Sequence, residues 1–142
     1  MCRVILLFKF ILILSLFSNN SFAESKNGTG ELKLSRGMVN YFIDYIRGKQ
    51  FRYPSVFYVT VDGTDGSSWY CSEMTNCRSG SLQLQLADCL RATGKECKRF
   101  AVKRTIKWNN GINLGKGKTS RIKNKWSDQE IRSYLKELGF SN

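Results

Sequence analysis

Three features of this 142-residue chain bear on chemistry: five cysteines, no histidine, and a long basic stretch without an acid. The missing histidine excludes Ser-His-Asp and Cys-His catalysis and every His-ligated metal site. What remains accessible is carboxylate chemistry of the muramidase kind, in which one acid protonates a leaving group and a second supports the reacting centre. The acids available to it are Asp62, Asp65, Glu73 and Asp88. Asp62 and Asp65 belong to a turn sequence, and Asp88 has a helix-surface explanation. Glu73, between Cys71 and Cys77, is the least explained. No residue is assigned a catalytic role. The chain is read as a non-catalytic binding module, with a secreted hydrolase acting on a polyanion or glycan as the alternative.

The basic stretch is the strongest signal. Between Glu96 and Asp128 there is no acid, and ten basic residues occur: Lys98, Arg99, Lys103, Arg104, Lys107, Lys116, Lys118, Arg121, Lys123 and Lys125. Phe100, Trp108 and Trp126 are interleaved with them. A positive stripe with aromatics is the footprint of polyanion binding. Arg104 and Lys107 are expected as its fixed part, and Lys116, Lys118, Arg121, Lys123 and Lys125 as its mobile arm. Nucleic acid fits through phosphate contacts and base stacking, but no helix-turn-helix, RNP sequence or C2H2 finger accompanies the charge. Anionic envelope lipids and polymers, or an acidic protein, are the alternatives. A solvated basic face that serves solubility is the plain reading.

The address decides which anions the chain meets. Arg3 precedes an apolar run from Val4 to Phe17 interrupted by Lys9, and Ser21-Phe22-Ala23 places small residues at −3 and −1 of a signal-peptidase site. Residues 1–23 are read as a signal peptide cut after Ala23, giving a periplasmic or secreted protein. The leader takes Cys2 with it. All 11 acids and 21 of the 23 basic residues follow Ala23, a net charge of +10 for the exported chain. No later stretch reaches the length needed to cross a bilayer.

Cys71, Cys77, Cys89 and Cys97 then form the spacing C-x5-C-x11-C-x7-C. An even number in an exported chain predicts two disulfides. The C-x2-4-C knuckle of zinc sites and the C-x-x-C of redox pairs are both absent. No metal or cofactor is expected. Local pairing, Cys71–Cys77 and Cys89–Cys97, closes two small loops at about 2–3 kcal/mol each, and longer pairings add only about 1 kcal/mol. Entropy does not choose between them. The turns flanked by each local pair favour local pairing.

The elements that must position these residues follow from periodicity. Residues 24–30 are polar and read as a flexible start, with Asn27-Gly28-Thr29 a sequon relevant only to a eukaryotic secretory pathway. Ser35 caps a helix running through Arg47, with Met38, Phe42, Tyr45 and Ile46 on one face and Gly48 as its stop. Pro54 breaks the chain. Residues 55–61 read as a central strand, Asp62–Gly66 as a turn and residues 68–71 as the returning strand. The aspartate spacing fits no EF-hand loop. Residues 81–93 alternate like a strand but also carry the helical stripe Leu82, Leu86, Cys89 and Leu90; helix is preferred for length and lack of β-branching. Residues 97–102 and 105–108 read as two short strands, with Phe100, Val102, Ile106 and Trp108 inward. Residues 115–125 read as a basic linker whose one apolar residue is Ile122. Residues 126–142 form a capped amphipathic helix: Ser127 and Glu130 make the capping box, Trp126 staples to Ile131, and Gly139 stops it. It is expected to dock on its own domain.

The segment from Phe57-Tyr58-Val59-Thr60-Val61-Asp62-Gly63 through Trp69-Tyr70-Cys71, Ala87-Asp88-Cys89 and Cys97-Lys98-Arg99-Phe100-Ala101 to Ile106-Lys107-Trp108 resembles small exported bacterial proteins of uncharacterised function. These carry a strand hairpin, a cysteine-bearing helix and a C-x-x-F/Y-A strand. The resemblance, over residues 57–108, implies export and an α+β unit, and carries no catalytic residue. The expected architecture is α+β: a small antiparallel sheet of about four strands packed by two or three helices, with a disulfide-containing domain over residues 24–114.

Overall fold

The computed structural model describes residues 26–50, 52–72 and 82–142. The expected leader (residues 1–23), Glu73, Cys77 and the helix cap Ser81 lie outside the described residues.

The fold is α+β. Three helices, α1 (Arg36–Arg47), α2 (Leu82–Thr93) and α3 (Asp128–Glu137), flank a four-stranded antiparallel sheet. Its strands are β1 (Arg52–Thr60), β2 (Gly66–Ser72), β3 (Cys97–Val102) and β4 (Thr105–Ile106), in the order β2-β1-β3-β4. β1 and β2 form the expected hairpin. The chain then crosses β1 through α2 and returns as β3 on its other side.

β1 is buried on both faces, which its period of two explains. Phe57 and Val59 enter a large core with Phe42, Tyr45, Phe100, Trp108, Ile131 and Phe140 on the side of α1 and α3. Val56 and Tyr58 enter a smaller cluster with Cys89 and Cys97 on the side of α2. The large core is aromatic: Phe42 meets Phe57 and Phe100 edge-on with ring centroids 5.1 Å apart, and Phe100 meets Phe140 at 5.0 Å.

The caps form as their residues dictate. Ser35 Oγ accepts from Met38 N, and Ser127 and Glu130 make a reciprocal capping box. The backbone N–H and hydroxyl of Ser127 hold the Glu130 carboxyl below the usual carboxylate range. Trp126 packs edge-on against Tyr134 at 5.0 Å. Phe140 folds back to donate to Leu135 O, and its carbonyl accepts from Leu34 N. α3 is therefore docked on its own domain.

Three expectations need correction. Pro54 does not end the strand run: it lies inside β1, beside the register shift between Pro54 and Val56, where a missing N–H costs the ladder little. Residues 26–30 are no flexible start. Asn27 and Thr29 bridge in parallel to Arg99 and Asn109, and Gly28 lies so close on the Trp108 indole that a Cβ there would fall 2.0 Å from the ring. Leu90 leaves the expected helical stripe and is half exposed, while Gln85 is buried and accepts from the Tyr58 hydroxyl at 2.5 Å.

One complete disulfide is present among the described residues, Cys89–Cys97, with Cα atoms 6.2 Å apart. It is one of the two local pairings expected, and it ties the second turn of α2 from its C-terminus to the start of β3. Cys71 is also disulfide-bonded; its expected partner, Cys77, lies outside the described residues.

Candidate polyanion-binding surface

The segment expected as a mobile linker is fastened to the sheet edge, and one apolar residue explains why. Ile122 is fully buried in the large core. Around it the backbone extends the β4 ladder: Ile106 N donates to Ser120 O at 3.0 Å, Ile122 N donates to Arg104 O at 2.8 Å, and Thr105 bridges antiparallel to Arg121. Gly115, at φ 70°, packs against the Lys107 carbonyl, where a Cβ would sit 2.4 Å from the oxygen. An L side chain would thus be both strained and clashing at that position.

This fastening brings parts of the sequence-predicted surface together. Arg104, Lys107, Lys116 and Arg121 converge at one sheet edge through the contacts of their backbones or immediate neighbours. Lys116, Lys118, Arg121, Lys123 and Lys125 are exposed; Arg104 and Lys107 are half-buried. The Lys123 ammonium lies over the Trp126 ring, 5.8 Å from its centroid. Arg104 diverges from the rest. Its Nε is buried without a hydrogen-bond partner, and its charge acts on Tyr45. Burial raises the Tyr45 phenol far above its ordinary range, with Arg104 opposing, and the hydroxyl donates to Lys103 O at 2.8 Å.

Ion pairs among the described residues join Arg47 to Asp128, Arg91 to Asp88, Lys95 to Asp62 and Lys98 to Glu96. None involves Lys107 or the basic residues from Lys116 to Lys125. Arg99 donates to Asn27 Oδ1 at 2.7 Å, so Lys98 and Arg99 serve the fold. The remaining stripe is cationic surface without a fixed acidic partner among the described residues.

Of the four acids offered for hydrolysis, the three among the described residues are occupied elsewhere. Asp62 organises the hairpin turn: one oxygen accepts from the Thr60 hydroxyl and from the Thr64 N–H and hydroxyl, and the other receives Lys95 Nζ at 2.7 Å. The Lys95 ammonium, then the Thr60 and Thr64 donors, hold its carboxyl well below the usual range. Asp65 accepts from Gly66 N, and Asp88 pairs with Arg91 along α2. These are turn and helix roles. Burial pushes the Tyr58 phenol up to about 12 against the pull of Arg99.

Two features escaped the sequence reading. An open cleft of about 470 Å³ between α1 and α3 is lined by Arg36, Gln129, Arg132, Ser133 and Lys136. Arg36 stands about a hundred positions from Arg132 and Lys136 in the chain, so no local spacing brings the three together. Arg132 is already tied to Asn40 Oδ1 at 2.6 Å. The second is a pair of exposed aliphatics, Ile112 and Leu114, on the loop entering the basic segment. Alternating apolar residues inside an Asn-Gly turn were the available signal.

No protein-family model, curated protein or solved structure matches the chain. No helix among the described residues is long and apolar enough to cross a membrane.

Proposed function

We propose that this is a small exported basic protein that adheres to anionic components of the cell envelope, without catalysis. The observation that carries the reading is the run of cations from Lys107 to Lys125 without an ion-pair partner among the described residues, on a segment held by Ile122 and by backbone bonds to the Ser120 and Arg104 carbonyls. Unpaired charge clustered on one region raises the local concentration of anionic partners and speeds encounter. Ordinary salt screens such contacts within about 8 Å. The natural outcome is an adjustable electrostatic anchor rather than a tight complex. The expected export signal and the disulfide both fit an oxidising compartment.

Heparin retention tests this. Replacing Lys116, Lys118, Arg121, Lys123 and Lys125 together with Ser should shift elution to markedly lower salt and leave the thermal midpoint nearly unchanged, since these side chains are exposed. Elution of both forms at low salt would end the adhesion reading.

A further inference from the structure

The loop from Asn109 to Lys118 carries a combination that a soluble polyanion would not use. Ile112 is 65% exposed and Leu114 59%, among the most exposed large apolar side chains of the described residues. They are not on a loose segment. Asn110 Oδ1 accepts from Ile112 N at 3.2 Å and Asn113 N at 2.8 Å, and its amide donates to Leu138 O at 2.8 Å. Asn113, buried between the two aliphatics, donates to Trp108 O at 2.6 Å. The loop is braced from the side of the domain with both aliphatic side chains largely exposed, the Cδ1 end of Ile112 lying against Gly139. Lys116 and Lys118 follow directly, and Gly115 abuts Lys107.

We infer that this loop is a membrane-interface wedge: Ile112 and Leu114 enter the headgroup boundary of an anionic phospholipid bilayer while Lys107, Lys116 and Lys118 engage its phosphates. The inference rests on the polyanion reading and names the surface it serves. Charge complementarity selects the occupant. Nucleic acid or a sulfated polymer would satisfy the lysines and leave two aliphatics in water, whereas an anionic bilayer satisfies both, through apolar burial and attraction to its negative surface potential. The loop offers no aromatic ring between Asn109 and Lys118 on which a base could stack.

The test is co-sedimentation of the full-length chain with vesicles of neutral phosphatidylcholine and with vesicles containing phosphatidylglycerol. The neutral vesicles register whatever the apolar stretch Val4–Phe17 contributes. Three proteins are compared: wild type, the pair Ile112→Ser with Leu114→Ser, and the pair Lys116→Ser with Lys118→Ser. Wild type should bind the anionic vesicles more strongly than the neutral ones. The aliphatic pair should weaken binding to anionic vesicles by about tenfold or more, the scale set by burying two such side chains, with unchanged heparin elution and melting. The lysine pair should weaken both vesicle binding and heparin retention. Wild-type vesicle binding by the aliphatic pair, with heparin retention intact, would overturn the wedge and leave the polyanion reading standing. Equal binding of wild type to neutral and anionic vesicles, or loss of heparin retention by the aliphatic pair, would also overturn the wedge. Failure of wild type on both heparin and anionic vesicles would remove the polyanion reading and the wedge with it.

Discussion

Two turn-rich regions of this molecule treat charge in opposite ways. At the β1–β2 turn and the neighbouring α2–β3 turn, charge is internal: Asp62 gathers Thr60, Thr64 and Lys95, and the Cys89–Cys97 bridge spans the turn that presents Lys95. From Asn109 to Lys125 the turns are held by asparagine side chains, backbone bonds and Ile122, and the cations are left outside. The first region spends its charges on folding. The second folds without ion pairs to them among the described residues, Lys123 alone lying over the Trp126 ring, which leaves them available to a partner.

The contrast breaks first at Ile122. Ile122→Ala should cost about 2–5 kcal/mol in denaturant unfolding, the range for deleting a buried aliphatic. It should also expose Lys116, Lys118 and Arg121 to trypsin. A freely moving linker would show neither effect.

The paired region is probed by its disulfide. Cys89→Ala with Cys97→Ala should lower stability by about 2–3 kcal/mol, the loop-closure value for so short a loop. The fold should persist, because the aromatic core on the α1 side does not include the bridge. Loss of cooperative unfolding would mean that the two faces of the sheet are not separable in this way.

A smaller effect concerns pH. The Asp62 carboxyl is held below its unfolded value, near 3.9. A depressed carboxylate contributes stability above the unfolded pKa and loses it as pH falls through the folded one. Glu130 has the same sign. Acid titration of stability should therefore show a decline below about pH 4 that is shallower in Asp62→Asn. An identical acid limb in both proteins would show that the Lys95 contact does not persist in solution.

Much of the fold was legible because local signals agreed. The Ser35 and Ser127 caps, the aromatic run of β1 and the D-G turn each point to one structure, and each formed; the cysteine spacing leaves three pairings open, and Cys89–Cys97 is one of the two local pairs it favours. Residues 81–93 favour helix over strand by length and by having no β-branched residue but Thr93, and the helix forms over Leu82–Thr93. What stayed illegible was long-range. Gly28 reads as a flexible residue until the Trp108 ring is seen to require its missing side chain. Pro54 reads as a breaker until the bulge beside it removes the need for its N–H. For the candidate surface, the basic residues were visible as composition. Their fastening was not, because one isoleucine among lysines and glycines gives no periodicity. Arg104 was grouped with the others by sequence distance, but its side chain serves the Tyr45 neighbourhood.

The central claim is that the cations from Lys107 to Lys125 are free to bind an anion and do so by charge. The salt dependence of affinity for a duplex DNA of arbitrary sequence, used as a polyanion of known charge density, tests it most directly. Each neutralised phosphate contributes about −0.9 to the slope of log K against log salt. Wild type should give a slope of about −5 or steeper, shallower by about 0.9 for each of Lys116, Lys118, Arg121, Lys123 and Lys125 replaced by Ser, with no preference between sequences. A slope near zero, or one unmoved by the five replacements, would contradict it.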